Sequence, residues 1–266
     1  SAVKPNGDLH CYKEVCCDDL KTGNPVSLVN GTKSQRELDY RSGGASPLEL
    51  RRYYESAGYF RLPGAGPDVD RRSDHWRHSY DRELIPITGN SNLTAILRRA
   101  DFSLVHFNGS GDEVLNRAGS GAHLGFQAGV GWTLTLANGD VERYDTNAPL
   151  SSITPRGGLE TPIDRDGSGR IETVTDAFGK TLSFAYDTEG RLAGVADPAG
   201  EDITYEYDAE SRLTSVTYQD GSTKTYHYED PAGTHWLTGI THENGTRFST
   251  YDYDQFGHVE AAEHAG

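Results

Sequence analysis

From Arg170 onward the pattern of apolar and polar positions repeats. The units read RIETVTDAFGKTLSFAYD, RLAGVADPAGEDITYEYD, RLTSVTYQDGSTKTYHYE and LTGITHENGTRFSTYDYD. Arg170, Arg191 and Arg212 lie 21 residues apart, as do Tyr186, Tyr207 and Tyr228. A fixed period of this length marks a repeat architecture. Each unit closes on two aromatics two residues apart: Phe184 and Tyr186, Tyr205 and Tyr207, Tyr226 and Tyr228, Tyr251 and Tyr253. Residues i and i+2 of a strand share a face, so such pairs on adjacent strands form a cross-strand ladder. Turn chemistry follows the second aromatic, with Asp187, Asp208 and Asp254 and then Gly190 or Gly257. Arg191-Leu192 and Arg212-Leu213 open the next strand, and Val195 and Val216 stand three residues past the Leu. A spacing of three breaks alternation and predicts a bulge. Gly179, Gly200, Gly221 and Gly245 mark a second turn, so each unit reads as two short strands and two turns.

The first half is not periodic but uses the same ingredients. GNPVSLVNGTKSQRELDY alternates around Asn30-Gly31, and Asn108-Gly109 and Asn138-Gly139 repeat this hairpin cue. GVGWTLTLANGDVERYD is close to a complete two-strand hairpin, while SNLTAILRRADF reads equally as a short helix or a strand. Pro63–Arg72 reads as a loop and Thr154–Arg170 as a joint. The expected divisions are a cysteine-containing segment (1–22), a β domain (23–150) and a repeat array (151–266). The expected fold class is all-β, an antiparallel sheet of hairpin-like units that curves or spirals behind an N-terminal β domain.

Tyr186-Asp187-Thr188-Glu189-Gly190-Arg191-Leu192 carries the full Tyr-Asp-x-x-Gly-Arg-Leu motif. It resembles the YD repeats of bacterial Rhs proteins and their relatives, the teneurins and insecticidal toxin-complex shells. The next unit has Ser211 in place of the Gly, a later one has Glu229 in place of the Asp and the insert DPAGTHW, and the last has His258-Val259 in place of Arg-Leu. These departures read as drift in a degenerate repeat. GNPVSLVNGTKSQRELDYRSGGASPLELRRYYES and HWRHSYDREL (His75 to Leu84) resemble, in order, the two signatures of the domain that opens an Rhs shell.

Composition narrows the partners. A net charge of −15 argues against nucleic acid or an anionic membrane surface. No apolar run approaches the length of a membrane span. The 31 glycines suit many turns, and 35% hydrophobic residues suit sheets with a wet face. The chain starts at Ser1 and contains no Met, which reads as a processed or excised piece. Cys11, Cys16 and Cys17 are the disulfide candidates, and their clustering favours an oxidising, secreted location.

Candidate chemistry is sparse, and no catalytic residue, metal or cofactor is expected. Gly119-Ser120-Gly121 and Gly109-Ser110-Gly111 do not make a nucleophile elbow. His75 and His78 flank Trp76 at a metal-like spacing, but their place in the HWRHSYDREL signature favours a structural role. Asp164-x-Asp166-Gly167-Ser168-Gly169 resembles the start of a calcium loop, yet Thr175 stands where the closing Glu belongs, so a turn is the better reading. Asn30, Asn92, Asn108 and Asn244 sit in glycosylation patterns that read as turns in a bacterial-like chain.

The resemblance implies a non-enzymatic wall around a C-terminal toxin, delivered by contact-dependent or type VI secretion. About 18 strands spaced ~4.8 Å apart would close to a ring roughly 27 Å across, too narrow for a folded domain of some 100 residues. The chain is thus expected to be wall without a chamber, its partner being the remainder of an Rhs shell. The alternative is an extracellular filament or surface layer in which copies of the chain pair through open strand edges. A glycan on exposed Tyr faces is a third expected partner.

Overall fold

The computed structural model describes residues 21–22, 26–27, 31–57, 75–87, 94–111 and 121–264, and among them there is no helix. Cys11, Cys16, Cys17, Asn30, Asn92 and the Pro63–Arg72 loop lie outside the described residues. Strands β1 (Lys21–Thr22) and β2 (Val26–Ser27) pair as a small ribbon. A three-stranded sheet holds β3 (Ser34–Arg41), β4 (Glu49–Glu55) and β5 (Trp76–His78), and a second holds β6 (Glu83–Pro86), β7 (Ala95–Arg98) and β8 (Leu104–Phe107). The stretch read as helix or strand is β7, all four residues of which are buried.

The remaining strands form one 14-stranded antiparallel sheet in chain order. It begins with β9 (His123–Gln127), β10 (Gly131–Thr135), β11 (Val141–Tyr144), β12 (Leu150–Thr154) and β13 (Thr161–Arg165). The repeats follow as β14 (Ile171–Thr175), β15 (Thr181–Tyr186), β16 (Leu192–Ala196), β17 (Asp202–Tyr207), β18 (Leu213–Thr217) and β19 (Thr223–His227). Three more strands complete it: β20 (Gly239–Thr241), β21 (Arg247–Tyr253) and β22 (Val259–His264). The sheet is open, with β9 and β22 at its two edges. The width estimate of about 18 strands in one sheet therefore gives way to 14, the other strands forming the three smaller sheets. The Thr154–Arg170 stretch contains β13, which pairs with both β12 and β14, so the sheet runs through it without a break.

The bulges fall where the Leu-x-x-Val spacing places them. Tyr186 lies opposite Leu192 and Ala185 opposite Gly194, which leaves Ala193 as the extra residue; Tyr207–Leu213 and Glu206–Ser215 leave out Thr214 in the same way. Asn138-Gly139 closes the β10–β11 hairpin as predicted. Among the described residues Asn108-Gly109 closes no hairpin: β8 pairs with β7, and the next described strand, β9, belongs to the large sheet. There the local cue marks a turn between sheets rather than within one.

One face of the large sheet carries the core. Leu182, Phe184, Val195, Ile203, Tyr205, Val216, Tyr226, Ile240 and Tyr251 are buried on it. The two three-stranded sheets bury Leu48, Leu50, Tyr54, Leu84, Leu97 and Phe107 in the same cluster. They thus form a cover over the aromatic face, and the first aromatic of each repeat pair (Phe184, Tyr205, Tyr226, Tyr251) is core rather than surface.

Candidate functional site

The repeat motif builds a relay along one end of the strands. Asp187 Oδ1 accepts the backbone N–H groups of Glu189 (3.0 Å) and Arg191 (2.8 Å), and its Oδ2 accepts Arg191 Nε at 2.6 Å. The Arg191 guanidinium then lies 4.8 Å from the centroid of the Tyr207 ring, the second aromatic of the unit that Arg191 opens. Tyr207 in turn donates its hydroxyl to Leu192 O at 3.0 Å. Asp166–Arg170–Tyr186 and Asp208–Arg212–Tyr228 repeat the arrangement, with ring distances of 4.8 and 5.3 Å. Each opening arginine therefore joins the Asp that closes the unit before it to the second aromatic of its own unit. A partly exposed cation–π contact is worth about 0.5–1 kcal/mol, so the stabilisation accumulates only along an array. Burial works to raise the Asp187 carboxyl, but the hydrogen bonds from Arg191 outweigh it and hold the group below the usual carboxylate range. The last unit keeps the turn with His258 in place of Arg, its Nδ1 2.9 Å from Asp254 Oδ2. Asp166 is committed in the same way to Arg170 and Ser168 N–H, which makes the calcium-like string a turn.

The contact between cover and wall is polar at its centre. On β3 the alternation is inverted: Glu37 and Asp39 are buried, whereas Leu38 between them is 44% exposed. Asp39 pairs with buried Arg52 of β4 through Nε and Nη2, the latter at 2.9 Å. Across the interface Asp39 Oδ2 accepts the hydroxyl of Tyr205 at 2.9 Å, and Arg52 Nη2 donates to the hydroxyl of Tyr226 at 2.9 Å. Burial opposes the charge on Arg52, yet Asp39 more than compensates, so its pKa is raised well above the ordinary arginine value. Lys224 occupies the slot that Leu182 and Ile203 fill in the preceding units, and its Nζ lies 2.7 Å from Glu37 Oε2. A charge in an apolar slot, matched to one on the cover, permits one register and penalises others.

The DPAGTHW insert is part of this interface and not drift. His235 stacks on His75 of the cover at 4.9 Å between ring centroids, and Trp236 stacks on Tyr253 at 5.2 Å. Leu237 is fully buried. Its N–H donates to Tyr54 Oη at 2.8 Å, while its carbonyl accepts the hydroxyl of Tyr253 at 2.8 Å. Tyr54 donates its own hydroxyl to the carbonyl of His235 at 2.8 Å. Trp76 donates Nε1–H to Tyr228 Oη at 2.9 Å. Nδ1 of His75 donates to Glu55 O, and His78 packs on Tyr80 and Phe184. Burial lowers the His75 pKa, with His235 adding to the effect against the Glu55 carbonyl; burial also lowers that of His235.

The structure thus brings the second aromatics, Tyr186, Tyr207 and Tyr228, to the arginine relay, and the first aromatics, Tyr205, Tyr226 and Tyr251, beneath the cover. Sequence reasoning missed Glu37, Asp39, Arg52, Tyr54, Lys224 and Leu237. One signal was available: Lys224 breaks a series of apolar residues spaced at the repeat period.

The RHS Repeat family model matches residues 165–202, 186–223 and 207–246, and a domain of unknown function, DUF6531, matches 23–107. No curated protein matches the chain. Among solved structures, the Photorhabdus luminescens Tc holotoxin pore is 15% identical with a TM-score of 0.38, over 90% of this chain and 14% of its own. A TcdB2-TccC3-Cdc42 structure is 16% identical with a TM-score of 0.39, over 91% and 16%. A TcdB2-TccC3-TEV structure is 15% identical with a TM-score of 0.38, over 88% and 14%. The chain spans about 14% of the first of these proteins. The tandem family matches and the Asp–Arg–Tyr relay built by those residues make 165–246 an array of RHS (YD) repeats, behind the domain matched at 23–107.

Proposed function

We propose that this structural β-sheet module is a length of wall in a shell that encloses and delivers a C-terminal toxin. The observation that carries the reading is the relay, which passes from unit to unit in an open, extendable sheet and leaves β22 as an edge for further strands. The module acts by shape and has no catalytic part in the reading. The cover occupies the aromatic face along the first repeats, so cargo would sit against wall contributed by other parts of the protein. Secretion to the cell exterior, by a contact-dependent or type VI route, belongs to the same proposal. The test is limited proteolysis of the full-length protein. A shell leaves the toxin domain resistant until the wall is denatured, whereas cleavage of the toxin domain at the rate of the free domain would refute enclosure.

A second reading is favoured by one observation: five of the six residues of edge strand β22 are exposed. Copies joined through that edge would build a filament. Light scattering across a concentration series decides it, since a filament grows with concentration and a monomer of constant mass excludes it.

A further inference from the structure

Three Asn-Gly pairs whose asparagine is described lie in turns: Asn108-Gly109, Asn138-Gly139 and Asn244-Gly245. An Asn before Gly is open to attack by its own backbone, because glycine has no side chain to crowd the approach of its N to the Asn side-chain carbonyl. All three prepare that carbonyl in the same way. Oδ1 of Asn108 accepts Ser110 N–H at 2.9 Å, that of Asn138 accepts Asp140 N–H at 3.0 Å, and that of Asn244 accepts Thr246 N–H at 2.9 Å. They differ at the attacking nitrogen. Gly139 N–H donates to Leu136 O at 2.9 Å and Gly245 N–H to His242 O at 2.8 Å, each inside the turn of a hairpin. Asn108 instead opens its turn, and Gly111 N–H closes it onto Asn108 O at 2.9 Å. Gly109 is therefore an exposed inner residue of the turn, and its N–H has no hydrogen-bond partner among the described residues.

We propose that Asn108 is a site of spontaneous deamidation, and that the change loosens the joint between cover and wall. Gly109 N attacks Asn108 Cγ and gives up its proton to water. The bond from Cγ to Nδ2 breaks, and Nδ2 leaves as ammonia. Water then opens the cyclic imide to aspartate or to isoaspartate, with no oxidant or reductant involved. Isoaspartate routes the chain through the former side chain, which adds one methylene to the backbone. The turn has no slack for that methylene. Just before it lies Phe107, the fully buried end of β8. At its other end Gly111 O accepts the Leu124 N–H of edge strand β9 at 2.8 Å, and a Cβ on Gly111 would lie 2.0 Å from Leu124 O. The product therefore strains the hydrogen bond by which the exit of the second cover sheet holds β9.

Ageing the folded chain in mildly alkaline buffer, with peptide mapping by mass spectrometry and enzymatic methylation of isoaspartate, tests the site. Asn138 and Asn244 should convert roughly two- to tenfold more slowly than Asn108, the factor set by one backbone hydrogen bond that must first be given up. In concentrated urea those bonds are gone, and the three rates should converge. Hydrogen exchange at the Leu124 amide should quicken in the aged protein but not in an Asn108→Gln variant aged beside it. Conversion at Asn138 or Asn244 as fast as at Asn108 in the folded chain would overturn the proposal. So would an excess at Asn108 that persists undiminished in urea, because the order would then come from sequence and not from the turn. A Leu124 amide that keeps its protection in the isoaspartyl fraction would overturn the effect on the joint.

Discussion

Replacing Tyr54 by Phe removes one oxygen and no packing volume, yet that oxygen holds the cover to the wall. Tyr54 Oη accepts the N–H of Leu237 and donates to the carbonyl of His235, both at 2.8 Å. Tyr54 is 1% exposed and Leu237 0%, so water does not reach the Leu237 amide left behind. An orphaned buried N–H costs about 1–3 kcal/mol and a lost neutral hydrogen bond about 0.5–1.5 kcal/mol. The Tyr54→Phe variant should therefore lose about 2–4 kcal/mol of stability, a large share of the roughly 5–15 kcal/mol typical of a domain. Urea unfolding followed by tryptophan fluorescence measures the total, and hydrogen exchange at the Leu237 amide localises it. Tyr53→Phe is the control, since Tyr53 is only partly buried and points to the other side of β4. The reasoning is refuted if Tyr54→Phe costs no more than that control, or if the Leu237 amide keeps its protection.

Three further outcomes follow from the same geometry. Asp39→Ala strands the buried Arg52 charge and should cost about 3–5 kcal/mol, read by denaturant unfolding; a cost near that of a surface substitution would contradict the interface. His75 and His235 have folded pKa values below the ordinary histidine value, so the unfolded state binds more protons. Their contribution is complete above about pH 6.5 and is lost as pH falls through that value towards the folded pKa values. Unfolding free energies at about pH 7.5 and about pH 5.5 should differ, and the difference should shrink in a folded His75→Phe variant. Gly190→Ser places a side chain at φ +81°. The strain of roughly 1–2 kcal/mol, less about 0.4–1 kcal/mol recovered from the unfolded chain, leaves a loss of about 1 kcal/mol by thermal unfolding. Ser211, already at φ +63° in the equivalent place, shows that the turn tolerates this.

The repeat half was legible because its determinants are local. The 21-residue period, the Asp-Gly turns and the Leu-x-x-Val bulge each follow from residues within one hairpin. The cover was not legible, since the contacts that seat it join residues far apart in the chain, such as Asp39 with Tyr205 and Glu37 with Lys224. Alternation along β3 gives no warning that Leu38 faces out and the two carboxylates face in, because burial there is decided by an apposed sheet. The insert shows the same limit from the other side. Measured against the repeat, DPAGTHW is a fault; measured against Tyr54 and His75, it is the clamp. The ion-pair part of the relay is local to each turn, whereas the step from Arg191 to the ring of Tyr207 needs the register of the sheet.

The structure seats a cover on the aromatic face of an open sheet, and we propose that this sheet is a length of shell wall. Cryo-electron microscopy of the protein in its full natural length tests it most directly. The account predicts one continuous antiparallel sheet running past β22 into a closed shell, with β3–β5 lying on Tyr205 and Tyr226. A β22 edge paired with a second copy of the chain, or an aromatic face left bare, would contradict it.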